Sequence, residues 1–181
     1  MILTLTGMMG CGKSSVGKAL AKRLGRPFLD LDAIIEKRSG RPIPTLFAEE
    51  GEAAFRQMER EALEDLLSVT DPGAGLILAL GGGTLTDPAC ASLVRERTCC
   101  LYLEASADTL LRRLQNQTEG RPLLRTGNPG KRLTALLAQR RPVYESTAHH
   151  IIPTDARTVS DCVKAIAALL LSQTESIPGV E

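Results

Sequence analysis

The chain contains no tryptophan, and its aromatic complement is two tyrosines and three phenylalanines in 181 residues. Stacking platforms for single-stranded nucleic acid need exposed aromatics beside a basic groove, and a formal net charge of +1 supplies no such groove. No nucleic-acid partner is expected. Long apolar runs are missing too: the stretch from Ala165 to Leu171 is far shorter than the roughly 20 residues that cross a bilayer, so no membrane association is expected. Five cysteines, Cys11, Cys90, Cys99, Cys100 and Cys162, are odd in number and lack paired C-x-x-C spacing, which argues against a disulfide framework. With no charged leader ahead of the first apolar run, they read as reduced thiols in a cytoplasmic protein.

What is present suits one compact domain. A 43% hydrophobic and 24% charged chain of this length buries a sizeable core, with no internal repeat or low-complexity linker to divide it. Residues 1–172 are expected to form that domain, and 173–181, polar and containing Pro178-Gly179, a flexible tail. Short β-like runs (Ile2–Thr6, Pro27–Asp30, Leu76–Leu80, Cys99–Leu103, His149–Pro153) alternate with helical patterns (Lys13–Leu24, Glu52–Leu67, Pro88–Glu96, Ala107–Gln115, Pro129–Tyr144, Val159–Leu171). The alternation predicts an α/β fold in three layers, a five-stranded parallel sheet flanked by helices. Asp87 before Pro88, and Ser106 before Ala107, are expected helix N-caps.

One motif dominates. Gly7-Met8-Met9-Gly10-Cys11-Gly12-Lys13-Ser14 follows an apolar run and opens into an amphipathic helix, the setting of a G-x-x-x-x-G-K-[ST] phosphate loop. Its glycines permit a turn that aims successive N–H groups into one concavity at the positive end of a helix. Lys13 adds a cation for the outer phosphates. Ser14 offers a hard oxygen to a magnesium ion bridging them. A nucleoside triphosphate is the expected ligand.

Three further constellations accompany the loop. Phe28-Leu29-Asp30-Leu31-Asp32 ends the second strand, where alternate residues share a face, so Asp30 and Asp32 are expected to point together toward the C-terminal sheet edge. One carboxylate can serve a metal and the other an acceptor hydroxyl; the plainer alternative is that Asp32 caps a helix starting near Ala33. Arg56 and Glu59 stand three apart on a helix and can pair, and Gly81-Gly82-Gly83 follows an apolar strand as a surface for close approach of a small ligand. The glycine- and proline-punctuated stretch 116–130, with Arg121, is expected to form a mobile lid. From Arg112 to Arg141 eight basic residues face one acid, Glu119, a balance suited to phosphoryl transfer.

Taken in order, these motifs resemble the shikimate kinases. The resemblance runs from about Leu3 to about Leu170 and rests on Gly7 to Ser14, Asp30-Leu31-Asp32, Phe55-Arg56 with Glu59, Gly81-Gly82-Gly83, Gly120-Arg121-Pro122-Leu123-Leu124 and Arg140-Arg141-Pro142-Val143-Tyr144. It implies a nucleoside-monophosphate-kinase type of fold, with a shikimate-binding helical segment near 32–60, and transfer of the γ-phosphoryl group of ATP to the 3-hydroxyl of shikimate, on the route to chorismate and aromatic amino acids. It implies that Lys13 holds the outer phosphates, that Ser14 and Asp30 serve Mg2+, and that Asp32 binds ring hydroxyls and accepts the attacking proton. Arg56, oriented by Glu59, and Arg140 would clamp the shikimate carboxylate, with Gly81, Gly82 and Gly83 lining the ring and Phe47 and Phe55 walling the pocket. Gly10, Cys11, Gly12, Lys13, Ser14 and Ser15 would hold the phosphates, Arg113 and the 154–157 loop with Arg157 the adenine, and Arg121 would swing in catalytically. The family is usually monomeric. The residues alone leave two other readings open: a kinase for another small polyol acid, and a nucleotide-dependent switch or binding module, which would leave the triple glycine and the Arg56/Arg140 pair unused.

Overall fold

A computed structural model describes residues 1–70, 75–115 and 129–174. Five parallel strands, β1 (Ile2–Thr6), β2 (Phe28–Asp30), β3 (Leu76–Ala79), β4 (Cys99–Glu104) and β5 (His150–Pro153), form one sheet in the order β2-β3-β1-β4-β5. β1 is central, pairing through Leu3 with Ile77 on one side and with Cys99 on the other. It is buried along its whole length, as expected of a strand covered on both faces.

Helices cover both faces. α1 (Lys13–Leu24) packs with α8 (Val159–Thr174), while α5 (Pro88–Arg97) packs with α4 (Gly51–Val69) and α7 (Pro129–Thr147). Alternation along β1 separates the two groups: Leu5 approaches Gly17 of α1, whereas Thr4 bonds across the opposite face to Thr98 at the end of α5, Oγ1 to Oγ1, 2.8 Å. Gly17 is what lets α1 lie so close, because a Cβ there would fall 2.4 Å from the Phe28 ring. α6 (Ala107–Gln115) begins with the expected cap, Ser106 Oγ accepting from Thr109 N–H at 3.3 Å, and Asp87 caps α5 through Ala89 N–H at 2.8 Å.

Two short helices, α2 (Leu31–Ser39) and α3 (Ile43–Glu49), lie in the stretch expected to be helical near 32–60, with bounds the sequence reading did not give, and together with the start of α4 they form a cap beside the C-terminal sheet edge. The expectation that Asp30 and Asp32 share one extended strand is corrected. β2 stops at Asp30, which itself caps α2 by accepting the Asp32 N–H at Oδ1, 3.2 Å. Asp32 is therefore not the cap; it rides on the first turn of α2. α7 also runs past the expected Tyr144 to Thr147, carrying Pro142 inside the helix. The expected lid, including Arg121, lies largely outside the described residues, as does most of the expected tail.

Candidate active site

Open α/β sheets bind ligands beyond the carboxyl ends of their strands, and here the segments after β1, β2 and β3 converge on one cavity of about 850 Å³. Between β1 and α1, Gly7, Gly10 and Gly12 adopt φ of 133°, 81° and 104°, angles that L side chains rarely take. At Gly7 space is also decisive, since a Cβ would lie 2.6 Å from the Leu103 carbonyl oxygen. Cys11 N–H donates to Met8 O at 3.2 Å and closes the loop. Lys13 curls back over it, its Nζ donating to Gly7 O at 2.7 Å and Met8 O at 3.2 Å. Ser14 Oγ donates to Asp30 Oδ2 at 2.9 Å, so the expected metal-binding pair is a contact pair of oxygens beside the loop. Hard oxygen donors of this kind, few in number, match an ion that keeps several waters and takes others of its ligands from phosphates.

Across the cavity stands Asp32. Its carboxyl is pushed up to about 6, first by burial and then by the neighbouring charges of Asp30 and Glu59, with Lys13 pulling the other way. Gly81 makes room for it: a Cβ at that position would meet Asp32 Oδ1 and Glu59 Oε1, both at 2.8 Å. Glu59 is almost wholly buried, and both of its oxygens are used. Arg56 Nη1 donates to Oε2 at 2.6 Å, and Thr84 Oγ1 donates to Oε1. Burial works against the Arg56 charge, but Glu59 and then Glu52 more than restore it, holding the guanidinium above the usual arginine value. The Arg56 head also lies 5.4 Å from the centre of the Phe55 ring, which stacks at 4.5 Å on Phe47.

The third wall comes from α7. Arg140 Nη1 donates to Gly82 O at 3.0 Å, and Tyr144 Oη donates to the same oxygen. Arg140 lines the cavity; its neighbour Arg141 turns away toward Glu104, 3.6 Å off and partly solvated. Adjacent positions on a helix are about 100° apart, and that rotation selects Arg140 from the pair. Gly10, Gly12, Ser15, Phe47, Phe55 and Gly83 also line the cavity, whereas Cys11 is buried beneath the loop.

Besides Cys11, two more expected nucleotide residues are not on the cavity wall. Arg113, on α6, donates to Gly10 O, Cys11 O and Thr154, and Arg157 follows Ala156, which holds φ of 54°. Thr84, Tyr144 and Glu36 belong to the site without having been singled out. Thr84 directly follows the triple glycine and Tyr144 ends the Arg140 motif, so position next to a motif was the available signal. Glu36 gave none. Among the described residues no group of three or more His, Cys, Asp or Glu side chains could hold a metal, and no helix is long and apolar enough to cross a membrane.

A phosphate loop facing two arginines and a half-buried carboxylate across one cavity defines a P-loop kinase of small, acidic molecules. Comparison with known proteins makes the assignment specific. The shikimate kinase family profile matches residues 9–171. The shikimate kinase of Salinibacter ruber is 44% identical over 183 residues, covering 97% of this chain and 87% of its own, and one from Thermus thermophilus is 42% identical, covering 96% and 92%. Among solved structures, shikimate kinase from Acinetobacter baumannii in complex with shikimate superimposes with a TM-score of 0.88 at 37% identity, covering 98% of this chain and 95% of that one. The chain belongs to the shikimate kinase family.

Proposed function

We propose that this chain transfers the γ-phosphoryl group of ATP to the 3-hydroxyl of shikimate, giving shikimate 3-phosphate and ADP in aromatic amino acid biosynthesis. The observation that carries the reading is the convergence of Arg56, Arg140 and Asp32 with the phosphate loop on a single cavity. A polyhydroxylated acid needs a cationic fork for its carboxylate and an anionic acceptor for its hydroxyls, and the two arginines and Asp32 supply both.

The stretch Gly10 to Ser15 cradles the phosphates through those backbone N–H groups left open to the cavity, the Cys11 N–H being taken by Met8 O, and Lys13 leaves the loop carbonyls to meet the outer phosphates. Mg2+ would be held by Ser14 and Asp30, and when bound it neutralises charge on the phosphoryl oxygens. Arg56 and Arg140, both beside the Gly82–Gly83 stretch, grip the shikimate carboxylate together, Glu59 fixing the first and Gly82 O the second. Gly81, Gly82 and Gly83 let the ring approach backbone, with Phe47 and Phe55 as an apolar side. Asp32 orients the attacking hydroxyl and takes its proton, a task that a carboxyl titrating near 6 performs while ionised at neutral pH. Arg121 is assigned to the transferring phosphoryl group, and Arg113 and Arg157 to the adenine side, on family resemblance. A cytoplasmic monomer is part of the same reading. A coupled ADP-release assay with and without shikimate tests it: turnover should depend on the acid. Slow turnover indifferent to shikimate would identify a nucleotide switch, and preference for a different polyol acid would reassign the substrate.

A further inference from the structure

Arg113 lies in the last turn of α6 and reaches two separate parts of the fold, the phosphate loop and Thr154 after β5. Its Nη1 donates to Cys11 O at 3.3 Å, at the outer limit to Gly10 O at 3.5 Å, and to Thr154 Oγ1 at 3.2 Å; its Nη2 donates to Thr154 O at 2.8 Å. Thr154 is itself fixed, its N–H and Oγ1 both donating to Glu104 O at the end of β4, at 2.7 and 2.9 Å. The guanidinium thus ties the back of the phosphate loop to the edge of the sheet.

A trans peptide unit is planar, with its C=O and N–H pointing in opposite directions. Holding Cys11 O from outside the loop therefore aims the Gly12 N–H into it, and holding Gly10 O aims the Cys11 N–H, which closes the turn on Met8 O. The need for an external tie is set by the neighbours. Cys11 stands between Gly10 and Gly12, two residues whose backbones have wide freedom and which take φ of 81° and 104° here. Sterics alone do not keep those peptide planes in place.

We propose that Arg113 is a positioning residue for phosphate binding: it braces the Cys11–Gly12 peptide plane so that the Gly12 N–H faces the anion, and steadies the turn that the Cys11 N–H closes on Met8 O. The inference rests on reading the loop as the triphosphate site, and it differs from an adenine contact in acting on the phosphate half of the nucleotide.

The test is calorimetric titration of the folded protein with magnesium tripolyphosphate, adenosine and shikimate in turn. Arg113→Ala should weaken tripolyphosphate binding about tenfold or more, the effect of losing charge-assisted hydrogen bonds, and leave shikimate affinity within about twofold. Arg113→Lys keeps the charge without the planar fork, and should recover only part of the loss. Unchanged tripolyphosphate affinity in Arg113→Ala, with the loss confined to adenosine, overturns the brace in favour of a base contact. Full recovery by Arg113→Lys overturns it in favour of charge alone. Equal losses for tripolyphosphate and shikimate overturn it in favour of general structural damage. Should Arg113→Ala fail to fold, Arg113→Gln, close in length and polar, carries the same comparisons. Wild-type protein that does not bind tripolyphosphate defeats the phosphate-loop reading and the brace with it; wild-type binding that Arg113→Ala leaves intact defeats the brace alone.

Discussion

Arg140 and Tyr144, one helical turn apart on α7, both donate to the carbonyl oxygen of Gly82. The tyrosine is fully buried and stacks on Tyr102 at 5.2 Å, so α7 is locked against the glycine loop in one register and the arginine beside it is presented to the cavity. If that arginine and Arg56 form the carboxylate clamp, Arg140→Ala should weaken shikimate binding with little change for ATP, by about 2–5 kcal/mol, and the methyl ester of shikimate should be a poor substrate. Titration of both ligands checks this. Equal losses for the two would contradict the clamp.

Gly83→Ala should injure the clamp from the other side. Its added Cβ would lie 2.5 Å from Arg56 Nη2 and 2.7 Å from Nη1, yet these atoms end a flexible side chain that can swing clear. The fold should survive and Arg56 should leave Glu59. The Michaelis constant for shikimate is expected to rise about tenfold or more, the cost of a displaced charged partner, with ATP affinity unchanged. An unaltered Michaelis constant would show that Arg56 is not positioned as proposed.

Lys13→Ala should abolish most turnover and leave the melting temperature near that of the parent protein. Its ammonium contacts two loop carbonyls in a half-buried setting, which contributes little packing, whereas its charge is wanted on the transferring phosphates. Near-normal turnover in the purified, folded variant would remove the phosphate-loop assignment.

Asp32 carries a stability cost whose sign follows from its titration. Its folded-state value, about 6, lies above the ordinary 3.8, so the ionised carboxylate is penalised in the native protein above pH 6. As the pH falls from 6 toward 4 the native state takes up a proton that the unfolded chain does not, and the penalty fades. Asp32→Asn, equal in size and uncharged, should therefore stabilise the metal-free protein at about pH 7 to 8, by on the order of 1–3 kcal/mol, with the advantage shrinking toward pH 4. The same substitution should depress turnover by about 10² or more, because the acceptor for the hydroxyl proton is gone. Thermal melts across pH in a chelator, beside turnover at neutral pH, provide the check; a variant less stable than the parent at mildly alkaline pH would refute the burial argument.

The sequence by itself determined the strand and helix alternation, the phosphate loop and the family, because each depends on local pattern: Gly7, Gly10 and Gly12 must be glycine where φ is positive, and Lys13 and Ser14 follow at fixed spacing. Asp87 and Ser106 were legible as caps for the same reason, since a cap is a contact between residues two or three apart. Tertiary structure decided the rest. Whether Asp32 extends β2 or opens α2 depends on Asp30 capping the helix while its second oxygen holds Ser14, a partner 16 residues away. Thr84 serves Glu59 across 25 residues, and Arg113 reaches Cys11 across 102. The family motif already pointed to Arg140 rather than Arg141, but only the folded surroundings of α7 show what each meets, the first bonding Gly82 O at the cavity and the second turning toward Glu104. Spacing along a chain encodes neighbours within a turn or a strand; which distant groups share a buried charge is set only when the sheet order β2-β3-β1-β4-β5 brings the strand ends side by side.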